Sequence, residues 1–251
     1  MRKYLWLIFR IGPYILFNYF WIFRYSRHPE KYTLEERNAR INKFLSKVNK
    51  AFRVDFYISG VENLPSGEAC FLTPNHLSNY DAILFSLILK RPFAFVAKKE
   101  ILKFPFVGRL QKIYGGEFLD RKDLRQELRV MKNVRKSLAA NEKDWIVFPE
   151  GKRNKNIKEI NVDEFKHGTF KMPMEVKKDI IPVAIYGSHR VLSIKHHHKR
   201  YPVHVSILPA IKPSEYENLK SIDVCEKVEE MVRKEYIRIK DLNDKIVNNK
   251  D

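Results

Sequence analysis

Residues Tyr4 to Phe23 (YLWLIFRIGPYILFNYFWIF) are apolar or aromatic almost without a break. Only Arg10, Gly12, Pro13 and Asn18 interrupt the run. Twenty helical residues just cross a hydrocarbon core of about 30 Å, but Pro13 lacks a backbone donor and predicts a break or kink. Arg2 and Lys3 precede the run and Arg24 and Arg27 follow it, so the distribution of positive charge gives no orientation across a membrane. Trp6, Tyr14, Tyr19 and Trp21 are residues that settle at the headgroup level. The pattern predicts a monotopic anchor lying in one leaflet, ahead of a full span or an ordinary core helix. No small-residue cleavage site follows it, which argues against a cleaved signal peptide.

Residues 33–50 read as a helix. Thr33 and Glu36 have the spacing of a capping box, and Leu34, Ile41, Leu45 and Val48 form an apolar stripe with Lys and Arg on the other face. Such a helix would pack beside the anchor and face lipid headgroups. From residue 53 short apolar runs alternate with helical periodicity. Strands are expected at 53–58, 69–73, 93–97, 144–148, 180–185 and 203–208, and helices at 81–89, 105–113, 123–139 and 221–236. In 123–139, Leu124, Leu128, Met131 and Leu138 share a face, with Arg125, Arg129, Lys132 and Lys136 elsewhere. The alternation predicts an α/β fold: a mixed, largely parallel central sheet flanked by helices, with the N-terminal helical motif as a membrane anchor. The expected organisation is a membrane-associating motif over 1–50, a catalytic domain over 51–240, and a polar tail over 241–251 that frays.

The 251 residues suit one domain with a small appendage. Forty-eight Lys and Arg against thirty Asp and Glu give a net charge of +18, which calls for a polyanionic partner, either nucleic acid or an anionic membrane. The aromatic N-terminal run favours the membrane, and no nucleic-acid-binding motif is present. Cys70 and Cys225 have neither metal-site nor redox spacing.

Three constellations carry candidate chemistry. His76 and Asp81 lie between a strand ending at Pro74 and an apolar helix. Residues five apart differ by about 140° on a helix, so the two can meet only if the chain turns between them. Asp81 could then hold one imidazole nitrogen and leave the other free as a base; it could equally be the N-cap of the following helix. Phe148-Pro149-Glu150-Gly151-Lys152-Arg153-Asn154 follows another strand. Gly151 permits a tight turn, and Lys152 and Arg153 on that turn suit a phosphate, unless they are a solvated basic loop. Gly115 and Gly116, followed by Arg121, bring the backbone close to some neighbour. His196-His197-His198 sits among Lys and Arg with no acidic or thiol partner, and reads as a basic loop rather than a metal site. Cys70 falls in a strand expected to be buried, where a thiol is inert.

Taken in order, these blocks resemble the glycerolipid acyltransferase family. The family carries H-x4-D (His76, Asp81), G-x-x-F-[IL]-x-R (Gly115 to Arg121), F-P-E-G-x-R-S (Phe148 onward) and an apolar block with proline (Ile181-Pro182-Val183-Ala184). Smaller echoes occur at Gly60 to Pro65, Ala97 to Ile101 and Phe165 to Gly168. The resemblance spans roughly residues 58 to 210. It implies transfer of a fatty acyl group from a thioester donor to the sn-2 hydroxyl of 1-acyl-glycerol-3-phosphate. His76 is the implied base and Asp81 its partner; Arg121, Glu150, Gly151, Lys152 and Arg153 are implied to bind or organise the acceptor headgroup. No metal or redox cofactor is implied. The partners are lysophosphatidic acid, an acyl-coenzyme A or acyl carrier protein donor, and the cytoplasmic face of an anionic membrane, with no nucleic acid. Backbone amides near Gly151 or at the helix start by Asp81 are the candidate oxyanion donors. Two positions depart from the family. Asn154 replaces the usual Ser, which bears on headgroup contacts, and Glu117 stands where an apolar residue is common. Acylation of glycerol 3-phosphate or another lysophospholipid is the alternative within the class; a basic non-catalytic membrane-surface or nucleic-acid-binding protein is the alternative outside it.

Overall fold

The computed structural model describes residues 2–120, 122–157, 161–193 and 199–248. Seven strands form one sheet: β1 (Val54–Ser59), β2 (Phe71–Pro74), β3 (Phe93–Lys98), β4 (Glu117–Leu119), β5 (Asp144–Ile146), β6 (Ile180–Tyr186) and β7 (Tyr201–Ile207). Their order is β1-β7-β6-β2-β5-β3-β4. Every pair is parallel except β6 with β7, so the sheet is mixed and largely parallel, as the alternation predicts.

Both faces of the central strands are buried, one residue to each side in turn. Leu72, Phe93, Phe95 and Ile146 face a cluster shared with α1 (Arg2–Arg27), α2 (Leu34–Ala51), α3 (Asp81–Ile88) and α4 (Pro105–Ile113). Phe71, Ala94 and Trp145 face the opposite way, onto α5 (Leu124–Ala139) and α6 (Lys171–Glu175). Beside these, α9 (Ser221–Asn248) covers Ile180 and Ala184 on β6. Two short helices, α7 (Ser188–Val191) and α8 (Pro213–Tyr216), lie in the connections.

The N-terminal segment is a single helix through Pro13 rather than a broken one. A proline there removes its own donor to the carbonyl four residues back and crowds that carbonyl with its ring, at a cost of about 3 kcal/mol. Tertiary packing holds the rest: Ile11, Trp21 and Ile22 are buried, and Tyr14 and Trp21 pack on Phe44 of α2 with ring centroids 5.4 and 5.8 Å apart. Two aromatics expected at the headgroup level therefore turn inward. Phe9, Leu16, Phe17 and Phe20 are instead 75–85% exposed. Among the described residues no helix is long and apolar enough to cross a membrane. The capping box at α2 forms as its spacing predicts: Thr33 Oγ1 accepts the Glu36 N–H at 3.2 Å, and Glu36 Oε2 accepts the Thr33 N–H at 2.9 Å.

Three expectations need correction. α5 buries Val130, Val134 and Leu138, whereas Leu124 and Leu128 are 70% and 56% exposed. The row that meets the sheet is offset around the helix from the row that merely looked apolar. Residues 241–248 do not fray but continue α9. Asn243 is fully buried, and its Nδ2 donates to Pro202 O at 2.9 Å and contacts His204 Nδ1 at 2.9 Å, which ties the polar tail to β7. β4, three residues long, was hidden behind the two glycines and exists only through its pairing with β3.

Candidate active site

β2 ends in mid-sheet, and Asn75 holds its exit. Asn75 Oδ1 accepts the Ile185 N–H at 2.7 Å and its Nδ2 donates to Ile185 O at 3.0 Å, so one side chain replaces a strand partner. The chain then folds back on itself. Asp81 N donates to Ser78 O at 3.1 Å, and α3 begins at Asp81. This turn brings together what helical spacing would separate: His76 Nδ1 lies 2.8 Å from Asp81 Oδ2.

Asp81 is fully buried, and its Oδ2 also accepts the N–H groups of Leu77 and Ser78, each at 2.8 Å. A carboxylate that collects three N–H groups acts as an acceptor only, so in the neutral imidazole Nδ1 is the nitrogen that carries the proton and Nε2 the one with the lone pair. The His76 ring stacks on Phe148 with centroids 4.0 Å apart, and its side chain is 19% exposed. The imidazole is thus fixed on one face and at one nitrogen, yet partly open to solvent.

The second loop grips the same histidine by its backbone. Gly151 has φ of +68°, a conformation that side-chain-bearing residues avoid, and its N–H closes the turn on Phe148 O at 2.9 Å. That turn directs the Glu150 carboxylate inward, where it is 2% exposed. Glu150 Oε1 accepts the His76 N–H at 2.5 Å and Oε2 the Asp163 N–H at 3.2 Å. Asn154 N donates to His76 O at 2.8 Å. Both backbone polar groups of His76 are therefore held by residues 150–154. Burial pushes the Glu150 carboxyl up to about 8, against the two N–H donors that favour its charge.

Lys152 and Arg153 are exposed beside this turn. Lys152 Nζ lies 3.6 Å from Asp163 Oδ2, whereas Arg153 makes no ion pair among the described residues. Arg121 lies outside the described residues, as do His196, His197 and His198. The two glycines approach different neighbours: a Cβ on Gly115 would come within 2.9 Å of Lys143 Nζ, and one on Gly116 within 2.1 Å of Gln111 Nε2 and 2.8 Å of Phe95 O on β3.

Several sequence expectations change here. Asn154 is buried in the loop, where its Oδ1 accepts the Asn156 N–H at 2.8 Å, so its side chain serves the turn. Glu117 Oε1 accepts from Asn133 Nδ2 at 2.9 Å, which gives a charged residue a place on a short edge strand. The amides at the start of α3 are already engaged: Leu77 and Ser78 donate to Asp81, Tyr80 to Ser78 Oγ at 3.1 Å, and Asp81 to Ser78 O. Gly151 N is likewise committed within its own turn. Cys70 is fully buried and burial raises its thiol pKa, so it is inert as a nucleophile. Sequence reasoning missed Phe148 as the platform under His76 and Asn75 as the clamp on β2; the only local signal was their adjacency to the two motifs.

A His–Asp pair and a basic glycine turn meet at the C-terminal end of parallel strands in an α/β protein. The pattern of the Acyltransferase family matches residues 55–186, and the chain belongs to that family. It is 29% identical over 180 residues to the 1-acyl-sn-glycerol-3-phosphate acyltransferase of Borreliella burgdorferi, covering 67% of this chain and 68% of the relative. It is 28% identical over 150 residues to the protein of that name from Escherichia coli, covering 60% and 59%. A probable 1-acyl-sn-glycerol-3-phosphate acyltransferase of Mycoplasma pneumoniae is 29% identical over 173 residues, covering 65% and 61%. The chain thus spans about three-fifths to two-thirds of these relatives. The crystal structure of the 1-acyl-sn-glycerophosphate acyltransferase PlsC from Thermotoga maritima superposes with a TM-score of 0.75 over 95% of both chains at 24% identity, a likeness of fold.

Proposed function

We propose that this protein transfers a fatty acyl group from a thioester to the sn-2 hydroxyl of 1-acyl-glycerol-3-phosphate, giving phosphatidic acid. The observation that carries the reading is the His76 Nδ1–Asp81 Oδ2 contact at 2.8 Å beside the Glu150–Arg153 turn. An alcohol is a weak nucleophile near neutral pH. His76 Nε2 takes its proton as the oxygen attacks the thioester carbonyl, and Asp81 stabilises the imidazolium and fixes the tautomer. The tetrahedral adduct then expels the thiolate as the C–S bond breaks, and the imidazolium returns the proton to sulfur. No acyl-enzyme is required. Arg153, exposed and uncommitted among the described residues, suits the acceptor phosphate, which a guanidinium can bind through two parallel hydrogen bonds. Arg121 joins it on the strength of the family motif. Glu150 and Gly151 act one step back, shaping the turn and positioning His76.

Acceptor and product are lipids, so we place the protein on the cytoplasmic face of a membrane. The exposed apolar row of α1 and the net charge of +18 support that placement. The donor is acyl-coenzyme A or an acylated carrier protein. The deciding experiment offers purified protein lysophosphatidate, glycerol 3-phosphate and lysophosphatidylcholine, each with both donors, and identifies products by mass. Phosphatidic acid from lysophosphatidate is the expected product; preferential acylation of either other acceptor overturns the assignment.

A further inference from the structure

Among the described residues no element covers the exposed face of α5, and its composition is unusual. Arg125, Arg129, Lys132 and Lys136 are all exposed and follow one another at i, i+4, i+7 and i+11, so they form one row. None makes an ion pair among the described residues; the one arginine of this helix that does is Arg135, with Glu175. Like charges at this spacing repel and weaken a helix. Leu124 and Leu128 flank the N-terminal end of the row, 70% and 56% exposed, and neither belongs to a core cluster. Four unpaired cations and two bare leucines together fit a partner that brings acidic and apolar groups at once.

We infer that this face of α5 docks the acyl donor when the acyl group is carried as a thioester on a small acidic protein. The inference rests on the acyl-transfer reading above. Two placements favour a soluble acidic protein over the bilayer. α5 covers the face of the sheet opposite the one covered by α1, so the stripe and the exposed aromatics of the proposed anchor belong to different sides of the sheet. β2, β5, β3 and β4 are parallel neighbours, so α5 starts, after β4, at the same end of the sheet where His76 follows β2. Three strand spacings separate β4 from β2, about 14 Å, a gap that a flexible thioester-bearing arm spans. The carrier's acidic residues pair with the Arg and Lys row and its apolar residues cover Leu124 and Leu128. Attraction of this kind raises the encounter rate and sets orientation more than it adds affinity.

The test uses full-length protein in detergent, intact and as Arg125→Glu/Arg129→Glu. Fluorescence anisotropy with a labelled, purified bacterial acyl carrier protein reads docking without turnover. Binding should weaken with added salt and fall at least ten-fold in the variant. In turnover assays with lysophosphatidate, KM for palmitoyl-acyl carrier protein should rise by a similar factor while KM for palmitoyl-coenzyme A stays the same. Carrier binding that is absent, or equal in both proteins, overturns the inference. So does an equal loss with the two donors, which moves the arginines into the reaction site, or reduced flotation with phosphatidylglycerol vesicles alongside intact carrier binding, which gives the stripe to lipid. Failure of lysophosphatidate to react with either donor would instead sink the acceptor assignment, and the anisotropy result would still decide the surface.

Discussion

Glu150 holds His76 by its backbone, not its ring: the carboxylate Oε1 accepts the His76 N–H at 2.5 Å. The family motif that was expected to meet the acceptor therefore fixes the position of His76. Loss of the His76 ring and loss of the Glu150 carboxylate should differ in kind, the first removing chemistry and the second removing geometry.

His76→Ala is expected to lower kcat by at least ~10²-fold, the lower scale for a lost general base. The ring rests on Phe148 and is partly open to solvent, so the melting temperature should hardly move. A folded variant with near-normal turnover would remove His76 from the mechanism.

Asp81→Ala should lose both activity and stability. Three N–H groups converge on Oδ2, and two belong to buried backbone. Leaving buried donors unpaired costs about 1–3 kcal/mol. Urea denaturation of this variant beside His76→Ala checks the contrast; equal midpoints would mean that the turn stands without the carboxylate.

Glu150 should make stability fall as pH rises. Its carboxyl is raised by burial from 4.5 to about 8. Between those values the folded state holds a proton that the unfolded chain has released, so this group's contribution is full below pH 4.5 and is lost as pH climbs through about 8. Glu150→Gln, which cannot ionise, should flatten that part of the profile. Urea midpoints at pH 5 and pH 8.5 for both proteins provide the measurement; identical slopes would show that Glu150 is already charged at the lower pH.

Arg153→Ala should raise KM for lysophosphatidate more than KM for the donor, and more than Lys152→Ala does, because Lys152 is partly committed to Asp163 at 3.6 Å. Arg153→Lys keeps the charge but loses the planar fork, and should recover only part of the affinity. A larger defect for Lys152 would reverse the two roles.

Replacing Leu16, Phe17 and Phe20 with Ser should convert a protein that needs detergent for extraction into one that salt releases. These side chains are exposed, whereas Ile22 and Trp21 on the same helix are buried, so the substitutions spare the core. Salt screens the Lys and Arg attraction to anionic lipid but not apolar insertion. Release of the unaltered protein by salt alone would end the anchor proposal.

Local chemistry made part of this protein readable without coordinates. The Thr33–Glu36 cap, the helix starting at Asp81 and the glycine turn at 151 depend on neighbours within a few residues, and the alternation of apolar runs depends only on periodicity. These features carried the α/β class and drew attention to His76, Asp81 and the turn through Arg153. What distant segments share was not readable. Nothing near His76 in sequence announces that Phe148 will lie under its ring or that Glu150 will hold its amide, since 74 positions separate His76 from Glu150. The same holds for helix faces. On α5 both the Leu124–Leu128 row and the Val130–Val134–Leu138 row are apolar, and only the position of the sheet decided which was buried. On α1, packing against α2 carried the helix past Pro13 and turned Tyr14 and Trp21 inward. An ordinary residue's own preference is worth a few tenths to about 1 kcal/mol and a helical proline costs about 3 kcal/mol, while burial of each large side chain is worth about 1.5–3 kcal/mol, so the several side chains packed along one element together outweigh the local preference.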